Sequence, residues 1–101
     1  MVDAEPNTTE SVLAIIKAFK GCDCYGSVSI SSIAIETACS IVRARAVPPD
    51  AFLRCDGGVQ LEWHVNGVDL EILIHHDGVI SYLLEQERAH LTTVRMLLEQ
   101  F

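Results

Sequence analysis

The chain has 101 residues, of which 50% are hydrophobic, and its formal net charge is −7. A chain of this size fits one compact domain with its own hydrophobic core, which we expect at 8–101 after a flexible tail at 1–7. The negative charge argues against direct binding of nucleic acid, since basic surface supplies most of that affinity. No apolar run reaches the roughly 20 residues of a membrane-spanning helix, and the acidic N-terminus lacks a secretion signal, so the predicted location is cytoplasmic.

Two amphipathic helices are predicted in the first half of the chain. The first is capped by Thr8 or Thr9 and ends near Gly21, because glycine suits the left-handed conformation that follows many helices. The second is predicted from about Ser31 to Arg45, with apolar residues at helical spacing on its core side. The predicted stripes are Val12, Ile15, Ile16 and Phe19 in the first helix, and Ile30, Ile33, Ala34, Thr37, Ala38, Ile41 and Val42 in the second.

A proline pair ends the second helix. Pro48 and Pro49 prevent its continuation, because proline lacks the backbone donor and restricts the residue before it. Residues 49–56 should then form an extended connector, which Phe52 and Leu53 anchor in the core. The first predicted strand lies beyond this connector.

The segment 57–78 alternates apolar and polar residues on both sides of Asn66-Gly67, the strongest short signal for a two-residue hairpin turn. If the turn has two residues, the register follows by counting, and the apolar pairs fall on one face. That face must be the core side. The expected core pairs are Val65–Val68, Trp63–Leu70, Leu61–Ile72 and Val59–Ile74, and the polar pairs on the other face are His64–Asp69 and Glu62–Glu71.

A second reversal is predicted at His76-Asp77-Gly78, with glycine in the left-handed position of a three-residue loop. This loop length keeps large residues on the core face. The result is a three-stranded antiparallel meander, which needs helices packed on it. A further helix is expected at 87–101, and the order α-α-β-β-β-α gives an α+β domain of two layers. The expected pairs of the second hairpin are Ile74–Ile80, Ile72–Tyr82 and Leu70–Leu84.

The polar face of the first hairpin is the candidate site. Glu62 and Glu71 are expected to face each other, and like charges directly opposite destabilise a strand pair. A cation, a basic partner or an internal arginine (Arg43, Arg45 or Arg54) would offset that cost, and an exposed pair tolerated in water is the structural alternative. An open sheet face offers little enclosure for acid–base chemistry, so no catalytic residue is predicted. The predicted partner-binding residues are Glu62, His64, Asp69, Glu71 and Leu73.

The charges divide unevenly along the chain. Between Cys55 and Arg88 there are seven acidic residues and no lysine or arginine, and all seven basic residues lie in the helical parts or the connector. If helices cover only the apolar side of the sheet, the opposite side is strongly negative. Such a field speeds encounter with a positively charged protein surface. Solubility alone is the simpler explanation of the net charge.

Four cysteines are present, and in a reducing compartment the default is free thiols, two of them buried. Cys22 and Cys24 together with nearby histidines could supply zinc ligands. A structural zinc site usually has a second ligand pair at similar spacing, however, so free cysteines are expected and no metal or cofactor is predicted. Cys55 lies in an acidic stretch, which disfavours a reactive thiolate. The histidines considered as ligands are His64, His75 and His76.

Two segments resemble a family of small, largely uncharacterised bacterial proteins. CDCYGS at 22–27 is similar to that family's Trp-Asp-Gly-Tyr-Gly-Ala element, with cysteines in place of its tryptophan and first glycine. DGGVQLEW at 56–63 and DLEI at 69–72 are similar to its strand motif Asp-Gly-Gly-Val-Gln-Leu-Glu-Trp and to the Leu-Glu-Ile strand behind it. The resemblance spans about 20–85 and implies no established activity or catalytic residue. It suggests an association with phage defence or mobile elements.

These observations favour a non-enzymatic interaction or regulatory protein that binds a protein partner with a basic surface, through the acidic sheet face or a sheet edge. An unpaired edge also allows strand addition, including within a homodimer. Two alternatives stay open. One is an acidic inhibitor that mimics DNA and blocks a nucleic-acid-binding protein, and the other is a small zinc protein or enzyme that uses Cys22 and Cys24.

Overall fold

The computed structural model describes residues 7–21, 29–65 and 67–85. The strands of the described residues form one antiparallel sheet in which neighbours along the chain are neighbours in the sheet, so the predicted α+β class is confirmed. The helix predicted at 87–101 and most of the tail predicted at 1–7 lie outside the described residues. No helix within the described ranges is long and apolar enough to cross a membrane. The elements are α1 (Thr9–Ala18), α2 (Ser32–Arg43), β1 (Asp50–Leu53), β2 (Val59–Val65), β3 (Val68–Ile74) and β4 (Ile80–Glu85).

The sheet has four strands where the sequence predicted three, because part of the connector pairs with β2. Residues 50–53 lie antiparallel to 59–62. The predicted anchors are wrong as well, since Phe52 and Leu53 are 46% and 36% exposed, whereas Pro49 is buried. A strand of four residues is too short to show a clear alternation, and its pairing depends on the neighbouring strand more than on its own sequence.

Helix α1 begins at a threonine cap, as predicted. The Thr8 hydroxyl accepts the Ser11 backbone N–H at 3.0 Å, and the Ser11 hydroxyl accepts the Thr8 N–H at 2.9 Å, which forms a capping box. Val12 and Ile16 are buried on the core side, but Ile15, predicted in the same stripe, is 42% exposed. Gly21 has a φ of 76°, which fits its predicted place just after the helix.

The core side of α2 is rotated relative to the predicted stripe. Ile33, predicted in the core, is 54% exposed, and Ile35 and Cys39 are buried instead. Apolar residues occur on so many sides of this helix that spacing alone allows two overlapping stripes. The helix is also shorter than predicted, with Ser31 as its N-cap and Ala44 as its C-cap. Its buried residues are Ala34, Ile35, Ala38, Cys39 and Val42.

Both hairpins have the predicted registers. Val65 pairs with Val68 across a two-residue turn in which Gly67 has a φ of 76°. Ile74 pairs with Ile80 across the longer second loop. All the pairs predicted between β2 and β3, and between β3 and β4, are present. This register decides which side chains of the sheet face the helices and which face away.

The core lies between the helices and the inner face of the sheet. Trp63 is its largest residue and is 1% exposed, and its indole N–H donates to the carbonyl oxygen of Val47 at 2.7 Å. A buried indole N–H needs such a partner. The bond fixes the chain after α2 against β2. The other buried strand residues are Val59, Leu61, Val68, Leu70, Ile72 and Ile74.

Gly58 marks a close approach between the loop before β2 and the end of β3. A Cβ atom at this position would lie 2.2 Å from the carbonyl oxygen of Ile74. We expect Gly58→Ala to lower the free energy of unfolding by about 3 kcal/mol, because the clash is with backbone. Urea unfolding of the full chain measures this loss.

Gly67→Ala is the matched control. A Cβ atom there would meet nothing within 4 Å, so only the left-handed backbone conformation costs stability, by about 1 kcal/mol. Equal losses for the two variants would contradict the close approach at Gly58.

Candidate functional site

The side of the sheet that points away from the helices carries the candidate site, which we call the acidic face. Alternation along β2 and β3 brings all five predicted partner-binding residues onto this side. Glu62, Glu71 and Leu73 are half-buried, whereas His64 and Asp69 are exposed. Strand β1 adds one acidic residue that the sequence did not predict. The acidic face comprises Asp50, Glu62, His64, Asp69, Glu71 and Leu73.

Three carboxylates form a row across the first three strands. Asp50 lies opposite Glu62, and Glu62 lies opposite Glu71. Burial raises the pKa of Glu62, and the charge and hydrogen bond of Glu71 raise it further. Within the described parts of the chain, no lysine or arginine forms a salt bridge with any of these three. The row therefore carries negative charge that no direct ion pair there offsets.

Arg54 reaches the glutamate pair indirectly. Its guanidinium group forms a salt bridge with Asp56 at 3.1 Å and donates to the Gln60 Oε1 atom at 3.2 Å. The Gln60 amide in turn donates to the Oε1 atom of Glu71 at 2.8 Å. The hydrogen bond from Arg54 holds the pKa of Asp56 below its usual range. Glu71 is thus stabilised by a hydrogen bond from a neutral amide and not by a direct ion pair with Arg54, whose charge is neutralised by Asp56.

His64 and Asp69 form the second charged pair of the face. The His64 Nδ1 atom lies 2.6 Å from the Oδ1 atom of Asp69, and both side chains are more than half exposed. The hydrogen bond to Asp69 raises the pKa of His64. The imidazolium form is therefore favoured within an otherwise acidic surface. Because the pair is exposed, its main effect is on the charge of the surface and not on stability.

A cleft of about 270 Å³ opens on the acidic face. Leu83, which lies opposite Glu71 and is 48% exposed, adds an apolar wall beside the carboxylates. A second depression of about 370 Å³ lies toward β1 and shares Glu62 and His64 with the first. Such shallow sites suit single side chains of a partner better than an enclosed substrate. The first cleft is lined by Glu62, His64, Asp69, Leu70, Glu71 and Leu83.

Two residues of this surface were missed by the sequence prediction. Asp50 was missed because β1 was expected to be an unpaired connector. Leu83 could have been found, since the correctly predicted second register already places it opposite Glu71. Leu73 lies on the same face but does not line the cleft, and its neighbour on β4 is Ser81.

Of the two cysteines within the described ranges, one departs from the predicted free thiols. Cys39 is free and buried in α2, as expected for a small apolar residue. Cys55 is disulfide-bonded.

The zinc alternative gains no support from the part of the chain that the structure describes. Cys22 and Cys24 lie outside it. The His75 Nε2 atom is 2.9 Å from the Ser81 hydroxyl, and the backbone carbonyl of His76 accepts a hydrogen bond from the Ser31 hydroxyl. Across 7–21, 29–65 and 67–85, no three histidine, cysteine or acidic residues are placed to hold a metal ion.

Comparisons with protein-family models, curated proteins and solved structures find no match for this chain. The resemblance noted from its sequence motifs therefore stays a prediction. Function has to be inferred from the chemistry of the acidic face.

Glu62 should reduce stability at neutral pH. The pKa of Glu62 is raised in the folded protein, so the folded state binds the proton more tightly than the unfolded state does. The free energy of unfolding therefore falls as the pH rises from about 4.5, the usual pKa of a glutamate, through the raised pKa of the folded state. We expect Glu62→Gln to raise the free energy of unfolding at pH 7 by about 0.5 kcal/mol. The gain should vanish below pH 4.5. Thermal unfolding across this pH range measures it.

Glu36→Gln serves as the control for this experiment. Glu36 is exposed on α2 and has no carboxylate opposite it on a strand. An equal pH-dependent gain in both variants would show that the effect comes from net charge and not from the row on the sheet.

The His64 ring should titrate at lower pH once its partner is neutral. We expect Asp69→Asn to lower the pKa of His64, because it removes the acceptor charge that favours the imidazolium form. The stability that this pair adds is present below about pH 6.5 and is lost as the pH rises through the raised value. An NMR titration of the imidazole protons measures the change. Asp77→Asn is the control, and an unshifted His64 in Asp69→Asn would contradict the pairing.

Proposed function

We propose that this protein is a non-enzymatic interaction protein that binds a basic surface of a protein partner through its acidic face. The observation that carries the proposal is the direct opposition of Glu62 and Glu71 in the β2–β3 register. Like charges in this position destabilise the strand pair. A lysine or arginine of a partner would relieve that repulsion. Binding is then more favourable, because it removes an unfavourable interaction that is present in the free protein.

The surroundings of the pair support a protein partner. The cleft combines carboxylates with the exposed apolar side chain of Leu83, a mixture that suits the charged head and aliphatic stem of a basic side chain. The neighbouring depression extends the surface toward Asp50. The face is open, which suits recognition of another protein better than catalysis.

A second candidate function uses the same surface. The row of Asp50, Glu62 and Glu71 presents successive negative charges across three strands. Successive negative charges are also what a nucleic-acid backbone presents to proteins that bind it. If the protein is an acidic inhibitor of this type, duplex DNA should displace it from its partner. If the partner is a basic protein that does not bind nucleic acid, duplex DNA should leave the complex intact.

Charge reversal tests the proposal. We expect Glu62→Lys with Glu71→Lys to weaken binding of a partner captured with the full-length wild-type chain by about tenfold or more, because the basic surface would then meet like charge. Calorimetry with the purified partner at two salt concentrations measures the affinity and its electrostatic share.

The double variant Glu10→Lys with Glu36→Lys makes the same change in net charge on exposed positions of the two helices. It should bind the partner with nearly wild-type affinity. Unchanged binding by the sheet variant, or equal losses in both, would show that the acidic face is not the binding surface.

A further inference from the structure

Strand β4 differs from the other strands of the sheet in the kind of side chains that it exposes. Residues 79–84 read VISYLL, with no charged residue and no proline, and the one charged residue of the strand is Glu85 at its end. Tyr82 is 61% exposed on the inner side of the strand and Leu83 is 48% exposed on the outer side, and Val79 just before the strand is 57% exposed. Large apolar surface is therefore exposed on both sides of one edge strand.

The position of β4 makes this composition unusual. It is the last strand of the sheet, and within the described residues no further strand pairs with it. Proteins usually protect such an edge with charged residues, proline or a bulge, because its free backbone groups can pair with another chain. The opposite edge also exposes apolar side chains, at Phe52 and Leu53, but it has this protection: Pro49 precedes β1, Asp50 begins it, and the Asn7 amide donates to both.

The register shows which backbone groups of β4 are directed outward. The His75 N–H donates to the Val79 carbonyl oxygen at 2.8 Å. The backbone N–H and C=O groups of Val79 are therefore directed toward the β3 side. Pairing alternates along an antiparallel ladder, so residues 81 and 83 also face β3. The backbone N–H and C=O groups of Ile80, Tyr82 and Leu84 are therefore directed away from the sheet.

We infer that β4 pairs antiparallel with β4 of a second copy of this chain, about a two-fold axis at Tyr82. In this register Tyr82 lies opposite Tyr82 of the copy, and Ile80 lies opposite Leu84. Each of these residues has outward backbone groups, so each pair exchanges two N–H···O bonds. The inner-side pairs are aromatic with aromatic and aliphatic with aliphatic, which are favourable cross-strand combinations.

Charge opposes a second copy less at this edge than at the acidic face. Two copies repel each other wherever their acidic faces meet, since the chain carries a net charge of −7. At the β4 edge no two acidic residues lie directly opposite each other, because position 85 pairs with the uncharged residue 79 in the proposed register. An isologous contact of this kind closes after two copies, as most homo-oligomers do.

The dimer does not depend on the proposed function, but it would change how tightly a partner binds. A two-fold axis perpendicular to the sheet places both acidic faces on the same side of one continuous sheet. A partner with two basic sites, or a dimeric partner, would then bind with a gain in avidity.

Solution mass tests the inference on the full chain. We expect sedimentation equilibrium to give twice the chain mass at micromolar concentration, and Tyr82→Lys to give the mass of one chain, because two ammonium groups would then meet at the axis. Phe52→Lys is the matched control: it places the same charge on an exposed aromatic position of the other edge strand, and should leave the dimer intact.

Charge complementation tests the position of the axis. Tyr82→Lys and Tyr82→Glu should each be monomeric alone and should form a dimer when mixed, since opposite charges then meet. Amide hydrogen exchange adds a second readout, in which Ile80, Tyr82 and Leu84 are protected in the wild-type protein and exchange faster in Tyr82→Lys.

Three results would overturn the inference. One is a wild-type chain that stays monomeric up to high micromolar concentration, and another is a dimer that Tyr82→Lys leaves unchanged. The third is a monomer whose outward amides are protected, which would mean that residues 86–101 of the same chain cover the edge. None of these bears on the acidic face, whose test is the loss of partner binding by charge reversal at Glu62 and Glu71.

Discussion

The pairing of β2 with β3 is the constraint on which the rest of this structure depends. A two-residue turn closed at Val65 and Val68 leaves one register, and a shift by one residue would move every side chain to the other face. That register buries Trp63 against the helices. It also forces Glu62 to lie opposite Glu71, so the same hydrogen bonds that build the core create the carboxylate row.

The row is a local conflict within an otherwise consistent fold. Helix caps, turn residues and apolar alternation all favour the observed structure, and such agreement is what makes a sequence fold to one state. The Glu62–Glu71 pair acts against it, since folding raises the pKa of Glu62. Gln60 and Arg54 only partly offset this cost. Conflicts of this kind are expected where a protein surface is used for binding.

The sheet was more predictable from the sequence than the helices or the cysteines. Alternation with period two and the Asn66-Gly67 turn fix the register of the first hairpin, and the register of the second followed from the loop length at 76–78 that keeps large residues on the core face. The stripe of α2 could not, because apolar residues surround the helix and the packing partner selects the side that buries Ile35. Strand β1 exists through its pairing with β2, and the disulfide of Cys55 depends on tertiary contact that residue spacing does not encode.

The alternation of core and acidic residues along the strands separates the outer surface of the sheet from the core. Core residues and acidic residues alternate along the same strands, so a change on the outer side removes no buried contact of Leu61 or Ile72. The helices take the basic residues Lys17 and Arg43 in their last turns, where the helix dipole favours them. On the outer side of the described strands, the acidic residues outnumber the cationic groups, which are Arg54, matched by Asp56, and His64, paired with Asp69.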